Sequence, residues 1–249
     1  METGEFAGQY AVVTGGTRGI GAAVTRALLK QGASVTATYA GNSAAAAEFT
    51  AALPEEERRR FAATAFDVSS MKACEEFFAA YDERCPQLDI MVSCAGIRQD
   101  GVVAMLPEES WKRVLDVNLG GAFNVAKCAV LRMLRRRYGR IVLLTSPMGR
   151  LGWSGQANYA ASKAGLVGMA RSLAKEVARR GITVNCVSPG FIDTEFIGNL
   201  TEEQKRDYAA MVPVHRFGRP GEVAGAVLYL AGRDAGYVTG SVLEISGGL

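Results

Sequence analysis

Residues 14–21 read TGGTRGIG, straight after the apolar run YAVV and straight before AAVTRALLKQG. A strand that ends in glycines and hands the chain to a helix lets the backbone approach a phosphate closely. Gly15 suits the tight turn, while Gly19 and Gly21 remove side chains where a pyrophosphate or a neighbouring strand must come near. The helix start then offers unpaired N–H groups to an anion. The turn predicts a dinucleotide site made of Gly15, Thr17, Arg18, Gly19, Ile20 and Gly21.

The rest of the chain repeats the same alternation. Apolar runs at ASVTATY, RFAATAFDV, LDIMVSCAG, GRIVLLTS, ITVNCVSPG and GSVLEISGG read as strands. Between them lie helical patterns over 43–58, 71–84, 108–137, 156–180 and 222–232, with a short one near 201–211. Strands alternating with helices predict an α/β fold, one parallel sheet covered on both faces. Without a linker or a repeat, residues 1–249 read as a single domain. Residues 191–215 read as an irregular lid.

Composition removes several classes. Lys and Arg number 28 against 25 Asp and Glu, a net charge of +3, which does not suggest bulk nucleic-acid binding. The single histidine, His215, rules out a multi-histidine metal site. Five cysteines without a CxxC pair fit a reduced, cytoplasmic setting. The start lacks a signal pattern, and no apolar run reaches membrane-spanning length, so no membrane is expected.

An NAD site usually carries an acid at the end of its second strand. Here that end reads TATYAGNS, with Tyr39 and no acid. Arg18 either meets a 2′-phosphate or is a solvated turn residue; the first reading favours NADP(H). Asp67, in FDVS, either accepts from adenine N6 or caps the following helix.

Tyr159 and Lys163 lie four residues apart in QANYAASKAG, hence on one helical face. Reducing a ketone requires a proton for the developing alkoxide, and a phenol can give it. A unit positive charge at about 4 Å is worth about 4 kcal/mol at an effective dielectric of about 20. That is enough to pull a phenol well below its usual value of about 10. Ser146 ends the fifth strand, where ligands of open parallel sheets gather. Asn118 sits inside a helix it does not favour, so it holds either a water or a kink.

The motifs TGGTRGIG, VNLGGAFNV, SPMGRLGWSGQANYAASKAG, RGITVNCVSPGFIDTEF and YVTGSVLEISGG together resemble the short-chain dehydrogenase/reductase family, most closely its 3-oxoacyl-[acyl-carrier-protein] reductase branch. The resemblance runs from residue 10 to residue 248. It implies a doubly wound, seven-stranded Rossmann sheet, a homotetramer, and NADPH-dependent reduction of a 3-oxoacyl thioester. It also implies a tetrad: Tyr159 as proton donor, Ser146 orienting the carbonyl, Lys163 binding ribose and lowering the Tyr pKa, Asn118 holding a relay water. Val68 joins Asp67 among the cofactor-binding residues. Pro189, Gly190, Ile192 and Thr194 lie beside the nicotinamide. By the same resemblance Arg137 and Arg180 dock an acidic acyl carrier protein beside the active-site mouth; a coenzyme A thioester would use some of the same charges. Rival readings are an acetoacetyl-coenzyme A reductase, another alcohol or ketone oxidoreductase, or a non-catalytic dinucleotide-binding protein.

Two residues depart from the family pattern. The family has NAG after the fourth strand, whereas this chain has Cys94, Ala95 and Gly96. Cys fills the space of Asn without copying its bonds, which predicts weaker cofactor anchoring or an altered local backbone. Pro147 stiffens the loop after Ser146. In that loop Trp153 either shapes the substrate pocket or anchors the loop. Phe196, Ile197, Met211 and Val212 either line an acyl channel or pack the lid down. His215 reads as structural or surface-exposed.

Overall fold

The apolar runs all become strands of one sheet. The computed structural model describes residues 4–197 and 200–249, with Phe196 described by its backbone alone. The strands are β1 (Tyr10–Thr14), β2 (Ser34–Tyr39), β3 (Phe61–Ala65), β4 (Ile90–Ser93), β5 (Gly139–Leu144), β6 (Ile182–Pro189) and β7 (Val242–Ile245). They pair in the order β3-β2-β1-β4-β5-β6-β7, every pair parallel. Every residue of β4, β5 and β6 is buried, whereas the edge strands β3 and β7 are only partly covered. That gradient is why the central strands read as unbroken apolar runs.

Helices cover both faces: α1 (Gly19–Lys30), α2 (Ser43–Ala51), α3 (Glu55–Arg58), α4 (Met71–Arg84), α5 (Glu108–Leu115), α6 (Gly121–Arg136), α7 (Met148–Leu151), α8 (Ala157–Val177), α9 (Glu202–Met211) and α10 (Pro220–Ala231). One core, containing Phe78, Tyr81, Met133 and Leu166, lies under α4, α6 and α8. The other, containing Leu28, Leu29, Phe49 and Val227, lies under α1, α2 and α10.

Three expected helical segments are not plain α-helices. The segment 43–58 breaks into α2 and α3 at Pro54, which has no N–H to donate and disfavours helix in the residue before it. The segment 108–137 is one continuous helix that widens to a π turn over Asp116–Gly120. The segment 156–180 ends in a 3-10 turn at Ala178–Arg180 before Gly181 turns left-handed at φ 70°. A Cβ there would sit 2.5 Å from the Arg137 carbonyl oxygen.

The joined helix Glu108–Arg136 is long and apolar enough to cross a membrane, contrary to expectation. Its apolar side is spent inside the protein: Val117, Ala122, Val125, Ala129 and Met133 all belong to the first core.

Candidate active site

Tyr159 and Lys163 occupy the first two turns of α8. The buried Asn158 side chain fixes where that helix begins. Its Oδ1 accepts from Tyr159 N at 2.7 Å, and its Nδ2 donates to the Gln99 and Ser110 carbonyls at 2.9 and 3.4 Å. The small residues of the helix permit close approach. A Cβ on Gly149 of α7 would lie 2.8 Å from Ala164 N and 2.9 Å from Lys163 C. The turn after Ser146 is thereby pressed against the turn bearing Lys163.

The Lys163 ammonium is buried, donates to the Leu144 carbonyl at 2.8 Å, and stands 5.5 Å from the Tyr159 ring centroid. Burial brings it down to about 8, opposed by the nearby thiols of Cys94 and Cys186. Burial lifts the Tyr159 phenol above its ordinary value; a hydrogen bond with the Ser146 hydroxyl and the charge of Arg98 act the other way. The net shift of the phenol is thus upward and not downward as expected, and the Lys163 ammonium faces the ring and the Leu144 carbonyl. Ser146 Oγ accepts from Met148 N at 3.3 Å, which keeps its O–H free to donate.

Asn118 sits in the π turn, where an extra residue widens the helix. The irregularity expected of Asn inside a helix takes the form of this π turn. Its side chain is spent on protein: Oδ1 accepts from Ile97 N at 2.7 Å, and Nδ2 donates to Ile97 O at 3.0 Å and Ser162 Oγ at 3.1 Å. Ser162 in turn donates to Tyr159 O at 2.7 Å. The amide thus clamps the loop after β4 to α8 and has no donor left for a water.

A cleft of about 620 Å³ opens at the C-terminal ends of β1 to β4. Gly15, Thr17, Arg18 and Gly19 form one wall, with Tyr39, Asp67, Val68, Cys94, Ala95, Gly96 and Thr194 around it. Gly15 (φ 63°) and Gly19 (φ 49°) are left-handed, and a Cβ on Gly15 would lie 3.1 Å from the Ala95 backbone. A Cβ on Gly21 would strike the Gly15 carbonyl. Arg18 gives no side-chain cap to α1, and the first turn carries no acid. Its N–H groups are thus available to an anion, and the cradle fits a pyrophosphate. Ile20 packs into the second core instead of lining the cleft.

Pro189 ends β6 and Gly190 leans on Ser246, where a Cβ would meet Ser246 Cα at 2.8 Å. Ile192 is buried and pairs with Gly218. These three residues hold the strand end, and Thr194 reaches the cleft. Arg18 is engaged by Glu195 at 3.7 Å. Asp67 does not cap α4; Ser70 does, accepting from Ala73 N. The Cys94 backbone is regular: its N donates to Thr14 O at 3.2 Å, and Ala95 N donates to Thr14 Oγ1 at 3.1 Å. The first of these bonds carries the β1–β4 pairing one residue past Ser93. Burial pushes the Cys94 thiol up to about 12, Lys163 opposing.

Trp153 anchors its loop to the lid, with its ring 6.1 Å from Phe191 and 6.2 Å from Tyr208. Ile197 and Val212 are buried, and Met211 is exposed. The Phe196 side chain and residues 198 and 199 of the expected lid lie outside the described residues. Arg137 and Arg180 require a correction. They precede β5 and β6, whereas Ser146 and Pro189 stand at the other ends of those strands. Parallel strands put their starts on one side of the sheet and their finishes on the other, about 20 Å apart along the strands at the usual rise per residue. Within one chain these arginines do not flank the active-site mouth.

Sequence reading missed Gly149, Asn158 and Arg113. The first two act through packing or backbone bonds that no local pattern announces.

The family model described as enoyl-(acyl carrier protein) reductase matches residues 15–249. The chain is 38% identical over 244 residues to the 3-oxoacyl-[acyl-carrier-protein] reductase FabG of Vibrio harveyi, covering 97% of each chain. It is 39% identical over 247 residues to FabG of Escherichia coli (strain K12), covering 98% of each. It is 37% identical over 244 residues to the 3-oxoacyl-[acyl-carrier-protein] reductase MabA of Mycobacterium tuberculosis (strain CDC 1551 / Oshkosh), covering 98% of this chain and 94% of the relative.

Proposed function

The chain belongs to the short-chain dehydrogenase/reductase family, and from that premise we propose that it reduces a 3-oxoacyl thioester to the 3-hydroxyacyl thioester with NADPH. The reading treats the chain as one catalytic unit whose lid is residues 191–215. The observation that carries it is the buried Lys163 ammonium against the Tyr159 ring on α8, with the turn after Ser146, at the C-terminal end of β5, pressed onto the helix at Lys163 and Ala164.

When bound, the nicotinamide supplies a hydride to the carbonyl carbon. Two hydroxyls serve the carbonyl oxygen. Ser146 donates a hydrogen bond, and Tyr159 gives up its proton as the oxygen becomes an alkoxide. A phenol raised by burial is fully protonated at neutral pH, the form that reduction requires. A secondary alkoxide is far more basic than a phenolate, so the transfer runs downhill. The Lys163 charge then stabilises the phenolate left behind. Refilling by a water at the Asn118 turn is part of the proposal, and the spent amide leaves that water to the backbone.

Gly15, Gly19 and the start of α1 would hold the pyrophosphate. Arg18, with no acid at Tyr39, would hold a 2′-phosphate. The acyl group arrives on an acyl carrier protein, for which the names of the relatives speak. Docking through Arg137 and Arg180 requires a neighbouring copy to supply them, as in a cytoplasmic homotetramer. The test is NADPH oxidation with acetoacetyl-carrier protein, acetoacetyl-coenzyme A, simple ketones and a crotonyl thioester, with NADH in parallel. Carrier-bound ketone should be the best substrate. Preference for the crotonyl thioester would replace this reading with the enoyl reduction in the family description.

A further inference from the structure

Arg113 stands in the last turn of α5 and lines the cofactor cleft. Its fork closes a ring of three side chains. Nη2 donates to Asp67 Oδ2 at 3.0 Å, and Nη1 donates to Ser69 Oγ at 3.0 Å. Ser69 donates to Asp67 Oδ1 twice, from N at 2.9 Å and from Oγ at 2.7 Å. An ionised carboxylate has about four acceptor positions. Three are taken, and the open one lies on the oxygen that Arg113 holds.

The ring is not needed to hold the backbone. Asn124 Nδ2 donates to the Val68 and Ser69 carbonyls at 3.0 and 3.3 Å, and Gly121 packs against Val68. Nor does it add much stability, since the ion pair is exposed, 44% and 42% for the two side chains. What the guanidinium adds is direction. It fixes one carboxylate oxygen at the cleft wall and keeps the group ionised. Burial raises the Asp67 carboxyl, but the Ser69 bonds and Arg113 outweigh it and hold it below its ordinary value.

We propose that Arg113 is a positioning residue for the purine end of the cofactor, locking Asp67 as an acceptor for a 6-amino group and against a 6-oxo group. An amino group can donate to the open carboxylate position. An oxo group would set acceptor against acceptor, a repulsive element that yields selectivity. Lysine cannot replace the fork, because a point ammonium does not span both partners in one geometry.

This inference rests on the proposed dinucleotide cofactor. The test is equilibrium binding, by tryptophan fluorescence or calorimetry, of NADP+ and of its hypoxanthine analogue. The proteins are wild type, Arg113→Ala, Arg113→Lys and Asp67→Asn. Wild type should prefer NADP+ by about 10-fold or more, the scale of one charge-assisted hydrogen bond. Arg113→Ala should lose most of that preference by weakening NADP+ about 10-fold, with the analogue changed less than about 3-fold. Arg113→Lys should not restore it, and Asp67→Asn should abolish it. Melting temperatures should stay close to wild type. Equal weakening of both ligands in Arg113→Ala, or no preference in wild type, would overturn the assignment while leaving the cofactor reading intact. Wild type that bound neither ligand would remove both.

Discussion

The Lys163 ammonium stands 5.5 Å from the centroid of the Tyr159 ring and is tied at 2.8 Å to the Leu144 carbonyl. The two side chains respond to burial in opposite senses: the phenol is raised and the ammonium is brought down to about 8. As pH climbs, Lys163 is therefore the first of the pair to lose its proton. The kcat for ketone reduction should fall through about pH 8, measured with saturating substrates between pH 6 and 10. The stability sign is separate. In the unfolded chain a lysine titrates near 10.4, so between about pH 8 and 10.4 the folded state binds fewer protons. Across that window the contribution of Lys163 to stability rises with pH, and below it the burial cost is fully present. Urea unfolding at pH 7.5 and 9.5 should show this rise in wild type relative to Lys163→Met. An equal pH response in both proteins would contradict it.

Gly149 is a second point of leverage. A methyl group there would meet the α8 backbone at 2.8 and 2.9 Å, and backbone cannot swing aside as a flexible side chain can. Gly149→Ala should cost about 1–3 kcal/mol, a fall of several degrees in melting temperature. Because the displaced turn carries Ser146, kcat should also drop by about 10-fold or more. Unchanged kcat in a folded variant would mean that the Ser146 turn is placed by something else.

These two cases show what the sequence could and could not tell. The central strands β4 to β6 are legible because burial on both faces leaves unbroken apolar runs, and the glycine turn because a phosphate cradle requires glycines in order. Tyr159 and Lys163 are legible because helical spacing alone puts them on one face. The split at Pro54 follows from the missing N–H of proline, a signal that the sequence itself carries. The role of Arg113 was not legible, because its partners Asp67 and Ser69 are more than forty residues away. The positions of Arg137 and Arg180 misled for another reason: a motif carries residue type without saying which end of a strand it occupies. The direction of the Tyr159 shift depended on burial, which a spacing argument does not contain.

Arg18 and Glu195 form an exposed ion pair across the mouth of the cleft, 55% and 72% accessible. Such a pair is worth little to stability, yet its acid competes for the charge that a 2′-phosphate would use. Glu195→Gln should tighten NADP+ by about two- to five-fold and leave NAD+ unchanged, because only the former carries the extra phosphate. Arg18→Ala should weaken NADP+ by about 10-fold. Titration of both cofactors at two salt concentrations checks this, and equal effects on NAD+ would remove Arg18 from the 2′-phosphate site.

Trp153 reaches from the loop after Ser146 to Phe191 and to Tyr208 of α9, and Phe191 stacks edgewise on Tyr208 at 5.1 Å. Aromatic pairs of this kind add about 0.5–1.5 kcal/mol each beyond burial. Trp153→Ala removes two of them and should loosen α9. The thioester KM should rise about 5- to 20-fold while the Kd for NADP+ stays within about 2-fold. Faster proteolytic cutting within 200–215 would report the same release, and uncut variant protein with normal KM would refute it.

His215 is exposed and left-handed at φ 52°, a conformation that strains any residue with a Cβ. The strain in this region is about 1–2 kcal/mol for an L-residue, somewhat less for His than for bulkier types. Its backbone bond, N to Val212 O at 2.7 Å, does not depend on the side chain. Glycine would relieve the strain but add freedom to the unfolded chain, about 0.5–1 kcal/mol in the other direction. The net for His215→Gly should be neutral to stabilising by about 0.5 kcal/mol, or up to about 2 °C in melting temperature. His215→Val, β-branched in the same conformation, should destabilise by about 1 kcal/mol or more. The order Gly at or above His, and His above Val, tests backbone strain as the cause. A glycine variant that melted clearly below wild type would show that the imidazole makes a stabilising contact which outweighs the strain.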